Sequence, residues 1–346
     1  MKILIIALAG IGDLVMATPA IKAIKDAHLK AKIDLLTLPY GNEEVLKGSK
    51  YVDNIHIFID RTHTLTPKKP SVFKTIQTPF LLTKLRFKRY DLSVSVHPSS
   101  SFKLAFIAKF INAKRRIGFD SKNYTDPVQL NKKLHKVERS FKLLGPLGIK
   151  IKDKKQHFYI DRENKEFAEN FLKDKGSLFI GMHPGGYWKR QTKKWPLDRF
   201  AKLADRLNKD FGAKILVFEG PSDIGDWEQG DFEYMKTKPI IVKANLKNVA
   251  AIIKKCSLFI SNDTGVMHIA EAMDVPVIDI LGWADFLSGP HYEENKKLIA
   301  YKDLLCHNDD CQMLKTGGKT KPTCNLECYK GISVEDVYNL AKGVLK

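Results

Sequence analysis

Residues 257–282 read SLFISNDTGVMHIAEAMDVPVIDILG. An apolar run, SLFISND, gives way to TGVMHIAEAM, which suits a helix, and VPVIDILG is apolar again. Strand, helix and strand in this order form the repeating unit of a parallel sheet with crossover helices. The alternation extends outward from this stretch. KILIIAL, KIDLLTL, DLSVSVH and RIGF recur through the first half, and SLFIGMH and AKILVFEG precede the quoted stretch in the second. Most of these runs are apolar without alternation, as strands are when helices cover both faces of their sheet. DLSVSVH alternates and is the exception. The pattern implies an α/β chain.

At 346 residues the chain exceeds one ordinary compact core and suits two domains. Between the two strand series lies DRENKEFAENFLKDKGS, a polar helix-like segment that ends in cations and Gly176, the signals that stop a helix. A domain boundary is expected at about residue 160, giving domains 1–160 and 161–346 whose strand ends face a shared crevice, the place where open α/β sheets bind ligands.

Composition excludes disorder, with 44% hydrophobic and 28% charged residues. The net charge is +19, from 58 Lys and Arg against 39 Asp and Glu. Such a field attracts anions, whether nucleic acid, acidic lipid or a phosphorylated small molecule, or else it is a lysine-rich solvated surface. The opening MKILIIALAGIGD looks like a secretion signal, but its apolar run is short, ends at Asp13 and lacks a small-residue cleavage site. It reads as a buried first strand. No run approaches the ~20 apolar residues of a membrane span, so a cytoplasmic enzyme is expected. Residues 65–90, LTPKKPSVFKTIQTPFLLTKLRFKRY, mix cations with Phe and Leu, which suits either an interfacial membrane segment or an ordinary basic helix and loop.

Of five cysteines, Cys306, Cys311, Cys324 and Cys328 fall near the end. Two pairs separated by a loop can hold zinc, though the first pair is wider than usual; reduced thiols or a disulfide are the other readings. Cys256 reads as core.

Three stretches could do chemistry. In SNDTGVMH, Asp263 is placed to cap a helix whose first-turn amides, at Thr264 and Gly265, attract an anion. His268 follows one turn later on the same face, as a ligand contact or a core histidine. In HPGGYWKRQTKKWPLDRF, Gly185 and Gly186 make a tight turn after a strand, and Lys189, Arg190, Lys193 and Lys194 supply positive charge. In LAGIGDLVMATPA, Gly10, Gly12 and Asp13 open a helix after the first strand. This resembles a dinucleotide fingerprint without its third glycine, and Asp13 suits either a general base or a helix cap.

Taken together, GDLVMATPAIKAIK, HPGGYWKRQTKKWPLDRF and SNDTGVMHIAEAMDVPVIDILG resemble glycosyltransferase family 9, the lipopolysaccharide heptosyltransferases and their relatives, and KRRIGF, HKVERSFKLLGPLGI and the late cysteine segment resemble it as well. The resemblance implies a GT-B fold, two Rossmann-like domains facing across a crevice, with an N-terminal acceptor domain, a C-terminal nucleotide-sugar domain and a last helix that packs back on the first domain. It implies an inverting transfer of a sugar, heptose from ADP-heptose above all, onto the lipopolysaccharide inner core, without metal or other cofactor. Asp13 then corresponds to the catalytic base, with Gly12 beside it on the acceptor side, and Lys193 to the contact with the donor phosphates. Asp263, Thr264, Gly265 and His268 hold donor phosphate and sugar, with Gly185 nearby. An acid after KILVFEG binds the ribose; Asp223 is the choice, with Glu219 and Asp226 competing. Tyr187 and Trp188 stand where heptosyltransferases often carry small hydroxyl residues, so a related enzyme using another nucleotide sugar is the alternative. The implied acceptor is a lipid-linked saccharide, reached at the cytoplasmic face of the inner membrane through contact with its anionic surface.

Two rivals remain. An NAD-dependent oxidoreductase or epimerase fits the first turn but needs the missing glycine. A nucleic-acid binder fits the charge, yet no helix-turn-helix, zinc-finger or RNA-recognition signature accompanies it, so no specific nucleic-acid partner is expected.

Overall fold

The computed structural model describes residues 1–39, 41–59, 72–185, 194–220, 235–282, 286–304, 311 and 324–346, with 72–76 as backbone. The chain divides into Met1–Tyr159 and Ile160–Lys346. Just before the division, the His157 N–H donates to Thr18 Oγ1 at 2.8 Å and the Tyr159 N–H to the Val45 carbonyl at 3.0 Å. Just after it, Asp161 and Asn164 form a reciprocal capping box that starts the next helix.

In the first unit the strands are β1 (Lys2–Ala7), β2 (Lys32–Thr37), β3 (Asn54–Ile57), β4 (Leu92–Ser95), β5 (Arg115–Phe119) and β6 (Asp126–Val128), and the helices α1 (Ile11–Ala27), α2 (Val72–Phe87), α3 (Phe102–Ile111) and α4 (Lys136–Lys142). All pairings are parallel, in the order β3-β2-β1-β4-β5-β6. The second unit holds β7 (Phe179–His183), β8 (Lys214–Phe218), β9 (Ile240–Val242), β10 (Leu258–Asn262), β11 (Val277–Ile280) and β12 (Ile299–Ala300). Its helices are α5 (Arg162–Leu172), α6 (Leu197–Phe211), α7 (Leu246–Ile253), α8 (Gly265–Ala272), α9 (Glu293–Lys296), α10 (Glu327–Lys330) and α11 (Val334–Leu345). The order β12-β11-β10-β7-β8-β9 repeats the first sheet strand for strand. Each unit is therefore a doubly wound Rossmann-like sheet, whose direction of winding reverses between β1 and β4 in one and between β7 and β10 in the other.

The apolar runs are the inner strands. Leu4 and Ile6 of β1, with Leu36 of β2, pack against Leu85, Leu104, Ile107 and Ile111 of α2 and α3. DLSVSVH, whose alternation suggested one wet face, is the inner strand β4, and Ser93 and Ser95 are buried. In the second unit Ile180, Met182, Leu258, Ile260 and Ile278 pack with Leu203 and Leu207 of α6. The last helix joins this same core through Val337, Tyr338 and Ala341. Its apolar face packs on α6 and on its own sheet. Packing dictates glycine at position 282, just past β11, where a Cβ would lie 2.0 Å from the Tyr329 ring.

Candidate active site

All three sequence stretches fall where the winding reverses. Gly10–Asp13 follow β1, Pro184 and Gly185 follow β7, and Asp263–Gly265 follow β10. At such a point neighbouring crossovers leave on opposite faces, opening a space at the carboxyl ends of the strands.

In the second unit the cap of α8 is Thr264, not Asp263. Thr264 has extended backbone and makes no side-chain bond to the helix amides; its hydroxyl sits 3.2 Å from Ser261 Oγ. The partial positive charge of this helix end is thus not quenched by a side-chain cap, and Asp263, Thr264 and Gly265 are all partly exposed. His268 is buried one turn in. Gly185 lies at the end of β7, where the preceding His183 Nδ1 bonds the Phe218 carbonyl at 2.9 Å and ties β7 to β8.

Asn262, the last residue of β10, joins these pieces. It is fully buried; its Nδ2 donates to the carbonyls of Pro184 at 2.7 Å and Gly185 at 3.3 Å, and its Oδ1 accepts the Trp195 N–H at 3.0 Å. One amide side chain therefore links Pro184 and Gly185 to Trp195, residues that flank the Lys-rich stretch of the sequence. Trp195 is held again by its indole N–H, which donates to the Ile332 carbonyl at 2.9 Å, and by an edge-on contact with Phe200. Lys193, two residues before Trp195, lies outside the described residues, as do Asp223 and Asp226. Glu219, their rival for the ribose, is buried and ion-paired to Lys243 at 2.9 Å. Tyr329 adds a phenol near Asp263 that the motifs did not suggest. Burial first, then the carboxylates of Asp263 and Asp279, push it well above its usual range.

In the first unit Gly10 occupies the cap of α1, so Asp13 is a first-turn residue rather than the cap. Gly12 beside it is buried. Asp13 Oδ1 accepts from Lys136 Nζ at 3.1 Å, both side chains being partly exposed. Lys136 opens α4, whose cap is the buried His135, its Nδ1 accepting the Val137 N–H at 3.2 Å. Arg139 braces the approach to α4 through bonds to the carbonyls of Pro98, Lys132 and Leu134.

The zinc question falls partly outside the described residues, where Cys306 lies. Cys311 and Cys328 are buried in the second core and Cys324 is exposed. Among the described residues no group of three or more His, Cys, Asp or Glu could hold a metal ion.

Two Rossmann-like units of this kind, each a six-stranded parallel sheet of the same winding, make up a GT-B fold. The profile of glycosyltransferase family 9 (heptosyltransferase) matches residues 80–316. The chain belongs to that family. It is 30% identical to lipooligosaccharide heptosyltransferase 2 of Campylobacter jejuni, over 100% of this chain and 99% of that one. A glycosyltransferase family 9 crystal structure from Veillonella parvula matches with a TM-score of 0.79 at 23% identity, covering 99% of this chain and 97% of the other. Escherichia coli heptosyltransferase WaaC with ADP-2-deoxy-2-fluoro heptose matches with a TM-score of 0.71 at 19% identity, over 99% of each. Among the described residues no helix is long and apolar enough to cross a membrane.

Proposed function

We propose that this enzyme transfers heptose from ADP-heptose, with inversion and without a metal, onto a lipid-linked saccharide of the lipopolysaccharide inner core, working at the cytoplasmic face of the membrane. The observation that carries the reading is the placement of Asp13 and of the Thr264–Gly265 helix end at the switch points of the two sheets. The names of the family and of its heptosyltransferase relatives support the choice of donor and acceptor class.

In this reading Asp13 accepts the proton of the acceptor hydroxyl as that oxygen attacks the anomeric carbon. The bond from that carbon to the diphosphate breaks, and the nucleoside diphosphate leaves with the electron pair. Lys193, Lys189, Arg190 and the amides of Thr264 and Gly265 meet the charge growing on the leaving group. These cations do the work a divalent metal does elsewhere. Asp263 and His268 orient the donor sugar and phosphate, Asp223 takes the ribose, and Gly185 admits the diphosphate close to the backbone. Asn262 fixes Pro184, Gly185 and Trp195, which flank the cation-rich stretch in the sequence.

The test is purified enzyme with ADP-heptose and a panel of UDP-, GDP- and CMP-sugars, each with lipid-linked inner-core saccharides of increasing length as acceptors, reading released nucleotide. Acceptor-dependent release from ADP-heptose alone is expected. Equal or faster release from another nucleotide sugar would sink the donor assignment.

A further inference from the structure

We infer that the outer faces of α2 and α3 form a docking surface for an anionic lipid bilayer. The helix α3 reads FKLAFIAKFI, apolar almost all round, which ordinarily marks a buried helix. It is not buried all round. Leu104, Ala105, Ile107, Ala108 and Ile111 face the core, while Phe102, Phe106 and Phe110, spaced every fourth residue, form an outward stripe that is 79%, 57% and 37% exposed. On the adjoining helix α2, Phe80 and Phe87, seven residues apart and so on one face, are each 76% exposed. The two helices are tied at this surface by Arg86, whose guanidinium lies 5.6 Å over the Phe110 ring and donates to the Phe110 carbonyl. Rings of roughly 200 Å² each, at these exposures, leave on the order of 600 Å² of aromatic surface in water, as large as the largest patch on a typical monomer.

Charge selects the occupant. Between residues 61 and 119 the chain has thirteen Lys and Arg against one acid, Asp91, which is already bonded to Lys114 and to the Lys2 N–H. Lys84, Arg86, Arg89, Lys103 and Lys109 are exposed on or beside the two helices. Aromatic rings among cations suit an acidic membrane surface, where the rings enter the headgroup and acyl boundary and the cations meet lipid phosphates. A second copy of the chain would bring the same positive field against itself. The inference deepens the proposed function by supplying the surface on which a lipid-borne acceptor is met.

The experiment is co-sedimentation of the full chain with vesicles of phosphatidylcholine and with vesicles containing about 30 mol% phosphatidylglycerol, without donor or acceptor. Failure here is therefore separate from failure of the transfer reading. Binding to the anionic vesicles alone is expected. Each basic residue near such a surface strengthens binding about fivefold, so Lys84→Glu, Lys103→Glu and Lys109→Glu together should weaken it about a hundredfold or more. Phe102→Ser, Phe106→Ser and Phe110→Ser together should weaken it about tenfold or more. Release of nucleotide on a water-soluble truncated acceptor should stay unchanged in both triple variants, which also shows that they fold. The same charge reversal at three exposed lysines of the second unit, Lys209, Lys238 and Lys330, is the control. An equal loss in that control, equal binding to neutral vesicles, or a wild-type dimer in sedimentation that the phenylalanine variant loses would each overturn the inference.

Discussion

Lys136 Nζ lies 3.1 Å from Asp13 Oδ1, joining the first turn of α1 to the first turn of α4. A partly exposed pair of this kind contributes only about 0–1 kcal/mol to folding, so its consequence is to orient the carboxylate rather than to hold the fold. Asp13→Asn should cut turnover by about 10²–10⁴-fold, the usual reach of a positioned base, with ADP affinity by calorimetry unchanged. Lys136→Met should lower kcat by a smaller factor with almost no change in melting temperature, and Lys136→Arg should restore most of the loss. An undiminished kcat in Lys136→Met would separate the lysine from the chemistry.

Asn262 is a positioning residue with a larger structural share. Replacing it with Ala removes three bonds and leaves the carbonyls of Pro184 and Gly185 and the Trp195 N–H without this partner. The cost in stability should be about 3 kcal/mol, read by denaturant unfolding. Because Pro184, Gly185 and Trp195 lose their common fastening, ADP affinity should fall more than tenfold at a temperature where the variant is still folded. Loss of stability with ADP affinity intact would leave Asn262 a core residue only.

The contrast between Asp13 and its partners shows what the sequence discloses. Eight apolar runs announced eight strands, all of which became inner strands because burial on both faces demands a continuous apolar run. The four strands that no run announced, β3, β6, β9 and β12, are the four sheet edges. An edge strand pairs on one side only, so it is short and tolerates residues such as Pro127. The three site stretches were visible because each is a glycine or hydroxyl turn following an apolar run. Lys136 was not, since its partner is 123 residues away and nothing local marks the pairing. Asn262 was read merely as the end of a strand, and its bonds to residues 77 and 78 positions back appear only once β7 and β10 are neighbours. The capping role given to Asp263 passed to Thr264 because the strand runs on through Asn262 before the backbone turns.

Lys193 stands two residues before the doubly bonded Trp195 in the sequence. Lys193→Ala should weaken ADP binding and slow transfer together, by about 10²–10³-fold in kcat for a lost charge-stabilising donor. Calorimetry with ADP and single-turnover kinetics separate the two effects. Unchanged ADP affinity would remove Lys193 from the donor site.

The positive field gives a salt prediction. Exposed charges are screened over about 10 Å at 0.1 M salt, so transfer to an intact lipid acceptor in anionic vesicles should fall steeply between low and physiological ionic strength. Transfer to a neutral truncated sugar should change little. Parallel salt profiles for the two acceptors would make the charge incidental to substrate capture.

The acid limit of the first unit should be set by Asp34. Its carboxylate, almost fully buried on β2, accepts from Lys88 Nζ and Tyr90 OH at 2.6 Å each and from Asn54 Nδ2 at 2.8 Å, with His56 Nε2 at 3.3 Å. Burial alone would raise its pKa, but the bonds from His56, Lys88, Tyr90 and Asn54 outweigh burial and hold the carboxyl well below the usual range. A carboxylate depressed in the folded state contributes its full stability above its unfolded pKa, about 3.9, and loses it as pH falls through and below that value toward the folded one. Asp34→Asn should cost about 2 kcal/mol at neutral pH, because the charge-assisted bonds to the buried carboxylate from the partly exposed Lys88 and from Tyr90 are lost. The variant should also show a flatter dependence of unfolding free energy on pH below pH ~4, where the wild type falls steeply. Urea titrations of both proteins across that range decide the matter: the same acid slope in Asp34→Asn would mean that other carboxylates set the limit.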